Sequence, residues 1–500
     1  MDYILRRNST QQRYMRCLLR YCSSARLIIT NETPPKGPYI SLSHRWGGSD
    51  IIKCTIKTLP KLQRGILLSE LPATFQDALS ATRSLGIAYI WIDSLCIIQD
   101  SRSDWDIESR TMLNVYQHGI LNLAATRSRD SHSGLFADRT PESLMSGPFP
   151  ISNGAISGSF VAVEAALDKP YWTVAVDDAP LNTRGWVLQE RLLSPRMAHF
   201  TSDQVIWDCP ELTAAETIPS GAQAMPHMIP SGIGPKRGSS LLKVPQEQDR
   251  ALGQWGTVVK AYSQCNLTVA SDKVVALSGV VDYLRPKLKN EFCAGLWRSQ
   301  MEMQLCWFAE ESSTATRNNV GPSWSWMSVD CAVNTPLHHE YEGYVVNLLA
   351  EVVDVDETVM VDGVGHLRLR GVLNPVELEA GPQPRLIGRG MEHLIQLALD
   401  TTSAAEATGN LFFVPVFDLQ EPNTAGMNQR FSELKGLLLE EIDGEAGKYS
   451  RRGLVFASAQ SDTKTQEFPE SYHEFLQAKG QNRLPCSKDD IGTARLVTIV

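Results

Sequence analysis

Two rhythms of hydrophobic and polar positions run through this chain, and the sharpest change between them falls between Gly86 and Thr126. Ile87, Ala88, Tyr89, Ile90, Trp91 and Ile92 form an apolar run with no polar alternation, the pattern of a parallel strand buried on both faces. It stops at Asp93. After Cys96, Gln99 and a polar turn, Ser103 to Asp106 fits a capping box with Ser103 as N-cap. Trp105, Glu108, Met112, Val115 and Tyr116 then recur three or four apart, which predicts a helix packed on a core along that face. A second strand-like run, Ile120 to Ala125, completes a strand, helix, strand unit.

The same rhythms extend to both sides. Ser24 to Ile29 reads as a strand, Pro34 to Pro38 as a linker, and Tyr39 to Leu42 as a short strand entering the loop Ser43-His44-Arg45-Trp46-Gly47-Gly48. From Leu71-Pro72 a helix is expected, with Phe75, Ala78, Leu79, Thr82 and Leu85 on one face and Gly86 as its stop. Residues 128–179 are rich in Ser, Gly, Pro and Asp and read as loops with an inserted hairpin. Beyond them, helical spacing places Trp186, Gln189, Glu190 and Leu193 on one face, and Ser194-Pro195 ends that helix. Met197 to Phe200, a turn, and Gln204 to Cys209 then read as a hairpin. The segment from about 211 to 250 is a linker. Trp255 to Leu284 is helical, and from about Tyr344 strands dominate: 349–355, 367–373, 411–419, 434–441, 454–458 and 494–500. The alternation Trp324-Ser325-Trp326 puts both indoles on one strand face, in the core.

Three carboxylates break these patterns. Asp93 stands just past a buried strand, where open α/β sheets place their ligand crevices; a turn or cap is the alternative. Glu108 lies among apolar neighbours and must pair, shift its pKa or face a cleft; an ion pair with an arginine is the plainer account. Glu190 shares a helix face with Trp186. Ser43 and His44 are sequence neighbours that a strand points apart, so they make no ready nucleophile and base.

Composition changes this picture little. At 500 residues there is room for two or three domains. Lys plus Arg is 47 against 56 for Asp plus Glu, a net charge of −9, which argues against a nucleic-acid or anionic-membrane binder. The ten cysteines include no C-x-x-C pair or zinc spacing and read as reduced, intracellular residues. No apolar run reaches the ~18 residues of a membrane span, so a cytoplasmic protein is expected. Six arginines among the first thirty residues are compatible with a mitochondrial presequence, ranked below an ordinary exposed helix. There is no Walker loop and no G-x-S-x-G elbow; Gly232 to Gly238 reads as linker and His338-His339 as an exposed loop rather than a metal site.

Taken together, YISLSHRWGG, LPATFQDALSATRSLGIAYIWIDSLCIIQD with DWDIESRTMLNVY, and LNTRGWVLQERLLSPR resemble the fungal heterokaryon incompatibility (HET) domain over about residues 39–210. The resemblance implies a role in non-self recognition between fungal cells and in the programmed cell death that follows. A more distant likeness, to the TIR domain, implies a TIR/flavodoxin-like, mainly parallel α/β sheet in the N-terminal half, ahead of a β-rich α+β C-terminal region. The domain reading is therefore a segment 1–38, the HET domain 39–210, a linker 211–250, and an accessory region 251–500.

Some TIR relatives hydrolyse NAD, and in that mapping Glu190 takes the catalytic position; Ser43, His44, Arg45, Trp46 and Trp186, together with the strand-end Asp93, are then the expected substrate contacts, and Glu108 is the rival carboxylate. A carboxylate can stabilise the oxocarbenium-like centre formed when nicotinamide leaves ribose, and an indole can stack on the nicotinamide. No cofactor or metal is required; NAD would be substrate. Alternatively, Glu190 is structural, paired with Arg184 or Arg45, and the domain is a non-catalytic module that self-associates and recruits a partner protein.

Overall fold

The computed structural model describes residues 17–21, 24–32, 34–48, 51–139, 149–153, 156–160, 171–221, 248–310, 315–318, 320–336, 344–356, 365–379, 385–387, 395–401, 409–420, 429–462 and 494–500. The chain divides into two compact units. The first comprises residues 1–244, 265–268 and 275–284, and the second 245–264, 269–274 and 285–500.

In the first unit, β1 (Cys17–Tyr21), β2 (Ala25–Ile29), β3 (Tyr39–Ser43), β4 (Tyr89–Ile92), β5 (Leu121–Ala124), β8 (Met197–Phe200), β9 (Val205–Asp208) and β10 (Thr213–Ala215) form one sheet in the order β10-β9-β8-β5-β3-β4-β1-β2. The two strands between β5 and β8, β6 (Phe149–Asn153) and β7 (Ile156–Phe160), pair only with each other, as the expected inserted hairpin. The central four strands, β8, β5, β3 and β4, run parallel, while both flanks are antiparallel. The sheet is thus mixed, with a parallel centre. Cys17–Tyr21 is a strand where an exposed helix was the expectation, and β10 lies inside the segment read as linker.

The connections follow from the chemistry of their ends. Helix α1 (Leu59–Arg64) and helix α2 (Ala73–Ser84) link β3 to β4. Thr74, Phe75, Ala78, Leu79 and Thr82 are buried along α2, but Leu85, expected on that face, is 56% exposed. The helix has ended at Ser84, and Gly86 turns the chain in the left-handed region at φ +72°. A four-residue helical turn, α3 (Asp93–Cys96), follows β4 directly. Helix α4 (Arg102–His118) is capped by Ser101, whose hydroxyl accepts from the Asp104 amide, and not by Ser103. Asp104 stands in the first turn, and its carboxylate also accepts from the Ile98 amide at 2.8 Å, which ties that turn to the segment before it. Glu108, Met112, Val115 and Tyr116 are buried as the stripe requires, with Tyr116 edge-on to the fully buried Trp91 at 5.6 Å. Helix α5 (Gly185–Leu193) ends at Ser194 as expected. Gly279 packs so closely on it that a Cβ there would lie 2.5 Å from the Gln189 side chain.

The second unit is built on a ten-stranded sheet among the described residues. It is antiparallel apart from one parallel pair, Lys448–Asp462 with Arg495–Ile499. Its longest strands, Leu411–Gln420, Gln429–Glu441 and Lys448–Asp462, contain three of the predicted runs. Trp324 and Trp326 are buried as expected, but on a turn and a 3₁₀ helix (Trp326–Ser328) rather than a strand. Their indole N–H groups donate to the Gly365 and Gly295 carbonyls, bonds made across the unit that override the local alternation. Residues 232–238, 338 and 339 lie outside the described residues.

Candidate functional site

The parallel centre brings the ends of β3, β4 and β5 to one edge of the sheet, since Leu42 is level with Ile92 and Ser43 with Ala124. From β3 the chain crosses to β4 on one side and then returns to β5 on the other, so the strand order reverses between β3 and β5. Open α/β sheets bind ligands at such a point, beyond the carboxyl ends of the strands. Ser43 ends β3 and Asp93 follows β4, so both stand at this edge.

Glu190 reaches the same place from α5. The Ser43 hydroxyl donates to Glu190 Oε2 at 2.5 Å, a short charge-assisted contact. On β5, Asn122 Nδ2 donates to Ser43 Oγ at 2.8 Å and to Ser194 Oγ at 3.2 Å, while Ser194 Oγ donates to the Glu190 carbonyl at 2.7 Å. Ser43, Asn122 and Ser194 are fully buried, and Glu190 is only 3% exposed. Burial, and the Asp93 carboxylate next, raise the Glu190 carboxyl from 4.5 to about 7, against the Ser43 hydrogen bond, the Arg184 cation and Tyr116. Tyr116 is itself shifted upward by burial and by the charges of Glu190 and Asp93. A carboxyl group raised toward neutrality by burial, beside a hydroxyl and at the carboxyl ends of the strands, has the properties of a general acid or base.

A half-buried rim surrounds this core. The Trp46 indole donates to Asp93 Oδ2 at 2.8 Å, with Lys53 Nζ 5.1 Å from the ring centroid. Arg184 donates to the His44 carbonyl, and Arg45 to that of Pro180 at 3.3 Å. Neither arginine is seen in a direct ion pair with Glu190; Arg184 acts on it through its field. The His44 ring lies edge-on to Phe75 and 3.5 Å from Asp93. Burial lowers His44 from 6.5 to about 4 despite Asp93, so it is neutral at physiological pH. Trp186, one turn before Glu190, packs edge-on against Trp105 at 6.2 Å between centroids. Glu108, the rival carboxylate, is 1% exposed.

Residues 39–190 match the family model described as Heterokaryon incompatibility protein (HET). The chain carries a HET domain. The matched segment opens with β3 and closes on Glu190, so it spans both partners of the Ser43–Glu190 hydrogen bond. No curated protein and no solved structure matches the chain.

Asn122 and Tyr116 were missed as members of the site. Tyr116 falls on the apolar stripe of α4 and is indistinguishable there from core. Asn122 did leave a signal, because an amide inside the run Ile120 to Ala125 must find partners when that strand is buried. Among the described residues no group of three or more His, Cys, Asp or Glu could hold a metal ion, and no helix is long and apolar enough to cross a membrane.

Proposed function

We propose that this protein is an effector of fungal heterokaryon incompatibility whose HET domain hydrolyses NAD, with Glu190 as the catalytic carboxylate. The observation that carries the reading is Glu190 itself, a carboxyl poised at about 7 against the Ser43 hydroxyl at the strand-order reversal. The parallel order β4-β3-β5-β8 is, in chain order, 2-1-3-4, that of the first strands of flavodoxin-like sheets, whose ligand lies at the corresponding reversal. This supports the TIR-like mapping that led to Glu190.

In the proposed reaction the bond between ribose C1′ and the nicotinamide nitrogen breaks, and its electron pair neutralises the pyridinium. Glu190 as carboxylate stabilises the positive charge left at C1′. Water adds to C1′, and its proton passes to Glu190 and then to solvent, giving ADP-ribose and nicotinamide. Asp93, Trp46 and Arg184 form the rim that meets the rest of the substrate. The test is nicotinamide release by purified full-length protein held at high local concentration, with Glu190→Gln as control. Release by the parent and not by the variant is expected.

A second reading is favoured by the 3% exposure of Glu190. Here the same network is structural, and the domain acts by self-association and recruitment of an incompatibility partner. No nicotinamide release at any local concentration, with assembly intact, would decide for it.

A further inference from the structure

The three residues that fasten Glu190 have one feature in common: each has a single way to orient its protons. Ser194 donates its hydroxyl proton to the Glu190 carbonyl, and Ser43 donates its own to Glu190 Oε2. A hydroxyl has one proton, so both serine oxygens are left as acceptors. Asn122 Nδ2, with two N–H groups, supplies one to each. The polarity therefore runs one way along both branches, from Asn122 through Ser43 to the carboxylate and from Asn122 through Ser194 to the backbone of the same residue. Asn122 Oδ1 has no hydrogen-bond partner among the described residues. Turning the amide over would give that oxygen no proton from either serine without breaking a bond to Glu190.

We propose that Asn122 is a positioning residue that, by donating to the Ser43 oxygen, aims the Ser43 proton at Glu190 and thereby sets the pH at which Glu190 ionises. The inference deepens the proposed function, but its premise is the hydrogen-bond network and not NAD cleavage. The donated bond stabilises the charged form of Glu190, and a hydroxyl that accepts one hydrogen bond donates a stronger one. Three other groups act on the carboxylate: Asp93 after β4 disfavours its charge, while Arg184 before α5 and Tyr116 on α4 favour it. Asn122 is set apart from them because it is uncharged and acts only through Ser43.

The experiment compares Tm against pH for full-length protein, each variant being paired with the same variant carrying Glu190→Gln, so that the difference reports the titration of Glu190 alone. Asn122→Leu is expected to move the midpoint of that titration upward by about one pH unit, roughly tenfold in proton affinity. Ser43→Ala should move it at least as far, and adding Asn122→Leu to Ser43→Ala should move it no further. Ser194→Ala should lower Tm and leave the midpoint in place. Asn122→Ser, a gentler change that cannot span both serines, should shift the midpoint in the same direction if Asn122→Leu does not fold. An unmoved midpoint in Ser43→Ala, or in whichever Asn122 variant folds, overturns the proposal, as does a Ser194→Ala shift equal to that of Asn122→Leu. Because no substrate is used, a shifted midpoint with no nicotinamide release would defeat the NAD reading alone. Nicotinamide release with an unmoved midpoint would defeat only this inference.

Discussion

Ser43 and Glu190 lie 147 positions apart in the chain and meet at 2.5 Å in a fully buried contact. One ends a strand in the parallel centre of a mixed sheet and the other comes from a helix beyond a long insertion. Their meeting ties the HET domain's first matched strand to its last matched residue, and the expected effects of Glu190→Gln depend on it.

Replacing Glu190 with Gln should slow nicotinamide release by roughly two to three orders of magnitude, the ~2.7–4 kcal/mol typical of removing one electrostatic contact to a developing charge. The amide keeps the size of the side chain and can still accept from Ser43. A steady-state assay of the folded variant checks this, and a variant that cleaves NAD at the parent rate would end the enzymatic reading.

The same substitution should change how stability depends on pH. Between about 4.5 and 7 folded Glu190 holds a proton that the unfolded chain has released. Its contribution is therefore full at low pH and lost as pH rises through about 7. His44 works in the opposite sense: its folded pKa of about 4 lies below the unfolded 6.5, so its contribution is present above 6.5 and lost as pH falls through about 4. Each shift amounts to something on the order of 3 kcal/mol, and across the overlapping range they offset. Thermal melts of Glu190→Gln should accordingly lose stability on acidification more steeply than those of the parent. Equal slopes would contradict the raised Glu190 carboxyl.

Glu108→Ala should be a stability variant. A carboxylate 1% exposed leaves its surroundings uncompensated when removed, at a cost on the order of 3 kcal/mol. Chemical denaturation would show this as a lower midpoint. A Glu108→Ala protein with parental stability and no NAD cleavage would move the catalytic site onto α4.

In the second unit, Arg451 is a buried cation held by several partners. It is fully buried, donates to the Leu305 and Trp307 carbonyls, lies against the Trp307 ring at 3.7 Å, and pairs with the buried Asp400 at 3.1 Å. Arg451→Met would leave two carbonyls without these donors and Asp400 with Arg317 alone. We expect a loss of about 3–5 kcal/mol, read by denaturant unfolding of the full chain; parental stability would refute it.

Much of this protein was legible in the order of its residues. Buried strands and one-sided helices follow from periodicities that each segment carries by itself, and so β3, β4, β5, α2, α4 and α5 stood out, together with six strands of the second unit. Asp93 at a strand end, Glu190 beside Trp186 and the family motifs were equally local. Local rules failed where two local choices were nearly equal. Ser101 and Ser103 can both cap α4, and Leu85 fits the apolar spacing of a helix that has already stopped. Only the tertiary structure decided that Ser43, Asn122, Ser194 and Glu190 form one network, because their proximity depends on the crossing order of β3, β4 and β5 and not on any spacing within a segment. It also decided that Glu190 is buried: a helix pattern shows which side chains share a face, while the depth of that face is set by what packs upon it.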